Sequence, residues 1–308
     1  MANEIAKLEE SLPTYQETFQ EIGRQIKSRK KMFFIRTLLI VWPVIILYNL
    51  KEIFIDENKI MEMPLGNIMA ITSGIVFVLF YYIVLSSIFN IEKRIWVDSF
   101  FDKEVLTSAQ SWRIARRLFF PNLKLSIIIF LRYILTAIIL CVLLMVVINF
   151  AIINRFPDTW IFLVNMFSVA SLFIYFYYLK VKLRYVYFIF LDYYNSDGFS
   201  CARIIKEMNR FNQKYKEVTA TRTLLFILGS QLINSISSYV LSGLQTGLGS
   251  FGLGGKILGN SMRIFGEELS KQLTSFSRMI AVYLLYKFIR SELYDETQFI
   301  NKSVYELK

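Results

Sequence analysis

The stretch MPLGNIMAITSGIVFVLFYYIVLSSIFNI, Met63–Ile91, runs for 29 residues without one charged side chain. A helix needs about 20 mostly apolar residues to cross the hydrocarbon core of a bilayer, so this run is long enough to span. The rest of the chain reads the same way. Its 308 residues are 55% hydrophobic, 16% aromatic and 19% charged, with a mean hydropathy of +0.45. A soluble domain carries about a quarter charged residues and less apolar mass, so membrane residence is the reading that fits.

Outward from Met63–Ile91, four more segments meet the length criterion and a sixth is weaker. The first is Met32–Leu50, where Pro43 predicts a kink. The third is Leu125–Phe150, interrupted by Arg132 near its start; the fourth is Thr159–Leu179 and the fifth Leu224–Ser242. The sixth, Gln272–Ile289, has only MIAVYLLY as an uncharged centre between Arg278 and Lys287. Charge asymmetry orients the set. With the N-terminus inside, the inner segments 1–36, 92–124, 180–222 and 287–308 carry 27 Lys and Arg, against 6 in the outer segments 51–64, 151–158 and 244–272. That bias predicts six spans with both termini cytoplasmic. The formal charge of +11 then belongs to the inner loops and an anionic leaflet rather than to nucleic acid.

The opening MANEIAKLEESLP has no secretory h-region, so the first apolar segment is expected to stay in the mature protein. Ser11-Leu-Pro13 offers a helix start, and Tyr15, Phe19, Ile22 and Ile26 follow as one apolar stripe. The domain plan is therefore a cytoplasmic amphipathic helix over 1–31, a six-span domain over 32–290 and a cytoplasmic tail over 291–308. The stripe is expected to dock on the protein's own cytoplasmic face, with a partner coiled coil as the rarer alternative.

Two inner segments, 92–124 and 180–222, resemble each other. VDSFFDKEVLTSAQSWRIARR from Val97 aligns with LDYYNSDGFSCARIIKEMNR from Leu191. The match sets Asp98 on Asp192, Phe100 on Tyr194, Thr107 on Ser200, Ala109 on Ala202 and Arg113 on Lys206. Thr107 and Gln110 have capping-box spacing, and Phe199 and Ile204 flank Ser200 as a hydrophobic staple would. Arg113, Arg116 and Arg117 cluster on one helical face, opposite Trp112, Ala115, Leu118 and Phe119. This pattern predicts an interfacial elbow helix whose arginines contact lipid headgroups, and the two elbows together predict a parallel internal repeat. Trp96 and Trp112 are expected near the inner interface.

The second elbow, with Asp192, Ser200 and Ala202 in LDYYNSDGFSCARIIKEMNRFNQKY, resembles the signature region of a group of bacterial membrane proteins. That group comprises the DUF975-type proteins and the membrane domain attached to glycerophosphodiester phosphodiesterases. The first elbow, RIWVDSFFDKEVLTSAQSWRIARRLFFP, is similar to membrane proteins of small-genome candidate-phylum bacteria. The resemblance implies a six-span bundle in the bacterial inner membrane and carries over no catalytic residue. This chain lacks the soluble catalytic domain of the phosphodiesterase-linked form.

Enzyme chemistry finds little to stand on. There is no histidine, and Cys141 and Cys201 sit in unlike surroundings, so no catalytic residue, cofactor or metal ligand is expected. Asp98, Asp102, Asp192 and Asp197 lie beside turns, where carboxylates cap and brace. The six predicted spans contain no acidic residue, which weakens coupled transport, and Arg36 and Arg132 are close enough to the inner ends to snorkel. The fifth span does carry a polar face, Gln231, Asn234, Ser235, Ser238 and Ser242, which can line a path or let helices pack closely.

Eight of the thirteen glycines fall within GLQTGLGSFGLGGKILGNSMRIFG, Gly243–Gly266. Gly247-Leu-Gly249-Ser-Phe-Gly252 matches a dinucleotide fingerprint, but a membrane span precedes it and no acidic residue sits about 20 positions on. Gly255-Lys256 fails as a phosphate loop because Ser250 and Ile257 occupy required positions. Gly243/Gly247 and Gly255/Gly259 are small-residue pairs that permit close backbone approach. The segment is expected outside the membrane, as a flexible linker, an interfacial helix or a re-entrant turn.

The expected fold is thus an all-α, polytopic six-span bundle with two interfacial elbow helices and a cytoplasmic N-terminal helix. The first functional expectation is non-enzymatic work in lipid interaction or membrane assembly; the alternative is a channel or transporter for a small solute using the polar face of the fifth span. Membrane lipids are the expected partners, with a homo-oligomer or another membrane protein left open and no nucleic acid.

Overall fold

The computed structural model describes residues 14–54, 65–101, 106–153, 157–194, 200–213 and 216–293. The predicted helix start at Ser11–Pro13, Asp102, Asp197-Gly198, Phe199 and the end of the chain from 294 lie outside them. Every regular element among the described residues is an α-helix: α1 Tyr15–Phe54, α2 Leu65–Phe101, α3 Ser108–Ile153, α4 Asp158–Lys182, α5 Val186–Tyr193, α6 Cys201–Gln213, α7 Lys216–Gly249 and α8 Gly252–Leu293. Four stretches are long and apolar enough to cross a bilayer: Tyr15–Lys51, Ile71–Ser99, Thr159–Tyr193 and Val218–Gly249. They mark a multi-pass membrane protein. In α3 the apolar run found among the described residues is the shorter Cys141–Phe150.

Several predicted pieces fuse. The N-terminal stripe and the first span are one helix, opened by a capping box in which the Glu17 N–H donates to Thr14 Oγ1 (3.2 Å) and the Thr14 N–H donates to Glu17 Oε2 (2.8 Å). The stripe is covered only in part: Ile22 is buried, while Tyr15 and Phe19, with rings 6.1 and 5.9 Å from Phe226 of α7, stay 42% and 61% exposed. Pro43 lies inside α1 without ending it. At the first elbow the basic segment is no separate helix but the opening turns of α3. The Thr107/Gln110 box starts that helix. No glycine follows before Ile153, and Pro121 does not break it. The second elbow does hold separate short helices. There Ser200 Oγ accepts the Arg203 N–H (3.2 Å), and α6 buries Ile204, Ile205, Met208 and Phe211.

The chain divides into two compact units, one built from residues 1–117 and 225–285, the other from 118–224 and 286–308. In the first, Phe33 of α1 packs edge-on against Phe89 and Trp96 of α2 and Phe276 of α8, with ring centroids 5.0–5.7 Å apart. Beside this apolar centre lies a buried polar cluster. Arg36 Nε donates to Glu92 Oε2 (3.0 Å), Ser111 Oγ donates to Glu92 Oε1 (2.9 Å), and Trp96 Nε1 donates to Ser111 Oγ (2.9 Å). Two expectations are corrected here. Arg36 does not snorkel: its side chain is 14% exposed and its guanidinium stacks 4.1 Å over the Trp112 ring. Trp96 is fully buried and has no place at a lipid interface.

In the second unit, Tyr286 of α8 stacks on Phe188 and Phe211 with centroids 5.7 and 5.0 Å apart, and Tyr185 is 6.0 Å from it. The Tyr286 hydroxyl donates to Asp192, which Arg290 approaches at 3.4 Å. In the first unit Tyr283 donates to Asp98 at 2.8 Å. The two aspartates matched between the elbows thus each take a hydrogen bond from a tyrosine of α8.

Candidate functional site

The glycine-rich stretch is a helical hairpin, not a linker. α7 runs to Gly249, Ser250 and Phe251 make the turn, and α8 starts at Gly252, whose φ of +82° suits glycine alone among common residues. The other glycines matter where the helices touch. A Cβ on Gly259 would lie 3.1 Å from Gln245 Cα, and one on Gly266 would lie 2.8 Å from the Leu241 methyls. Gly255 and Gly259 therefore serve close approach. Gly243 and Gly247 face open space and do not.

Close approach brings polar groups together down the hairpin. Gln245 Nε2 donates to Asn260 Oδ1 (2.6 Å), and Arg263 Nη1 donates to Gln245 Oε1 (2.7 Å). Glu267 Oε1 accepts from both Arg263 Nε (3.0 Å) and Ser238 Oγ (2.9 Å). Asn234 Oδ1 lies 3.0 Å from the hydroxyls of Ser270 and Thr274. The pairs run antiparallel from Gln245–Asn260 to Asn234–Thr274. At 1.5 Å per residue the 234–245 stretch covers about 16 Å of α7.

Of the predicted polar face, Asn234 and Ser238 meet α8. Gln231 is half-buried, Ser235 is exposed, and half-buried Ser242 offers its carbonyl to the Thr246 hydroxyl (3.0 Å). Gln245 completes this face; it continues the spacing of three and four from Ser238 and Ser242. The partners on α8 had no such signal, because Glu267 and Glu268 fall outside the predicted sixth span.

Two further faces of α8 are polar. Toward α1 and α2, Tyr82 donates to Glu268 Oε2 (2.8 Å), Gln272 Nε2 donates to Glu268 Oε1, and the fully buried Lys93 donates to Gln272 Oε1 (2.6 Å). Asn49 donates to Ser261 Oγ at 3.0 Å. The third face is partly open. Arg263, Glu267 and Lys271 recur at every fourth residue, with side chains 41% and 22% exposed for the first two and Lys271 exposed; half-buried Arg278 continues the line. Asn234 and Ser238 bond directly to α8, so the α7–α8 seam is polar along this length.

The basic face of α3 lies in the same unit. Arg113, Arg116 and Arg117 are exposed, while Ile114 and Ala115 between them are buried. Their exposed stripe continues up the helix through Phe120 and Lys124 to Ile127 and Leu131.

No protein-family model matches this chain, and no curated protein or solved structure matches it either. The fold therefore defines it only as a multi-pass helical membrane protein.

Proposed function

We propose that the protein is a six-span, non-enzymatic membrane protein that passes a small solute along the polar groove between α7 and α8. The observation that carries this reading is the Arg263–Glu267–Lys271 line, partly open and set beside an apolar helix long enough to span. Because α8 pairs with α7 from Asn260 to Thr274, residues 256–282 of α8 share the depth of α7. The sixth span is then this longer stretch, and α3 supplies the third. Lys256, Arg263 and Lys271 leave the outer side, which sharpens the charge bias that sets both termini inside. A charged Lys or Arg turned to lipid at the bilayer centre costs about 2.5–3.5 kcal/mol on insertion scales, and such residues mark water-filled paths by default. Water in the groove removes that cost.

The test is flux in proteoliposomes. Asn234→Leu and Ser238→Leu place apolar side chains on the seam, and each is expected to abolish most solute movement in protein that still elutes as a folded species. Undiminished flux in both would remove the groove from the path.

Lipid interaction is a second reading, favoured by the exposed arginines of α3. At 100° per residue, Arg113, Arg117 and Lys124 fall within about 40° of one another, and the same stripe turns apolar from Ile127 onward. A helix with that pattern passes from headgroups into acyl chains. Replacing Arg113, Arg116 and Arg117 together with Gln is expected to lower the anionic phospholipid retained on purification, read by mass spectrometry of the bound lipid. Equal retention would leave these arginines merely solvated.

A further inference from the structure

We infer that the solute carried by the groove is a small inorganic or carboxylate anion, an inference that rests on the path reading above. The argument is the balance of charge along the seam. Four ionisable side chains lie on its open face, and three of them, Arg263, Lys271 and Arg278, are cationic. The single carboxylate, Glu267, is already engaged: its Oε1 accepts from Arg263 Nε at 3.0 Å and from Ser238 Oγ at 2.9 Å. The Lys271 and Arg278 side chains make no hydrogen bond or close ion pair among the described residues, although the Lys271 charge also reaches Glu267. They are therefore the cations left to meet a solute.

The other carboxylate of α8 does not restore the balance. Glu268 is buried on a different face, where Tyr82 and Gln272 donate to its two oxygens. On that face also lies the Lys93 ammonium, which carries three donors and makes one hydrogen bond, to Gln272 Oε1 at 2.6 Å. The amide stands between the Lys93 nitrogen and the Glu268 carboxylate, on a face apart from the seam.

A permeating cation would face Lys271 and Arg278 with no free carboxylate to replace its water. An anion finds two further cations beside the one carboxylate that Arg263 already engages. Lysine and arginine side chains lining a pore select anions by the same electrostatics. Lys271 lies four positions after Glu267 and Arg278 seven after Lys271, so these two cations follow the Arg263–Glu267 pair along one helix face. An anion moving down α8 would leave the neutral Arg263–Glu267 pair and meet Lys271 next, then Arg278.

The experiment is ion flux and reversal potential in proteoliposomes and planar bilayers of the full chain, with chloride, acetate and inorganic phosphate as anions and potassium as the cation. The expected result is a reversal potential on the anion side and measurable flux of at least one of the three anions. Lys271→Glu is expected to move the reversal potential toward the potassium side, and Lys271→Arg to leave it in place. A second variant, Arg278→Gln, keeps the test open if Lys271→Glu does not fold; it should reduce anion preference. Potassium preference in the unaltered protein overturns the anion assignment while leaving the path intact. Selectivity unmoved by any of the three substitutions overturns the role given to these cations. No movement of any ion overturns the path and the anion together.

Discussion

Replacing Glu92 with leucine is expected to destabilise the protein by about 3–5 kcal/mol, the range for breaking a buried ion pair from one side. Glu92 is wholly buried and accepts from Arg36 and Ser111. Leucine would leave the Arg36 guanidinium with the Ser108 hydroxyl at 3.4 Å and the Trp112 ring as its remaining partners. Ser111 would lose one of its two acceptors, keeping the Ser108 carbonyl at 3.1 Å, while still receiving the Trp96 N–H. The three helices α1, α2 and α3 meet through this one carboxylate, so the loss falls on the core. A fitting comparison is Arg24→Ala, which breaks the Glu21 pair from its 68% exposed arginine and leaves the Gln25–Glu21 hydrogen bond in place. Such a pair is worth about 0–1 kcal/mol. Denaturant titration of the purified protein in one detergent measures both. Equal effects from the two substitutions would show that the Glu92 cluster contributes no more than a surface contact.

Much of the fold was legible because helical membrane segments announce themselves by composition. The uncharged Met63–Ile91 run and the polar face of the fifth span lie where helices form, and Thr107 and Ser200 stand one residue ahead of the helices they cap. What could not be read was which side chains a neighbouring helix would neutralise. Arg36 looks like a snorkelling residue when Glu92, 56 positions away, is not known to face it. Glu267 and Glu268 read as part of an outer interfacial helix because hydropathy weighs each helix alone, while their partners Ser238 and Tyr82 lie on others. The expected sixth span is the hardest to read: no stretch of α8 is among the four that are long and apolar enough to cross a bilayer. Windowed hydropathy selects MIAVYLLY, whose Ile280, Tyr283 and Tyr286 prove to be protein-buried, and passes over the polar turns before it. The glycines misled in a different way. Their spacing matched loop fingerprints, but at Gly259 and Gly266 the missing side chain is what lets two helices touch. Sequence spacing identified Gly255/Gly259 and Gly243/Gly247 as equivalent, and only a second helix could tell them apart.

Cysteine accessibility tests the central claim, that the α7–α8 seam holds water at the depth of a span, most directly. In a background with Cys141→Ser and Cys201→Ser, a cysteine replaces either Lys271 on the open face of α8 or Ile236 on the exposed apolar face of α7. Thiols react as thiolates, and a thiol in lipid neither ionises nor meets a charged, membrane-impermeant reagent. The account predicts that Lys271→Cys is modified by small charged methanethiosulfonates in sealed vesicles, from one side or the other, while Ile236→Cys stays unmodified over the same time. Protection of Lys271→Cys to the same degree as Ile236→Cys would contradict it, since the charged line of α8 would then be sealed from water and unable to carry a solute.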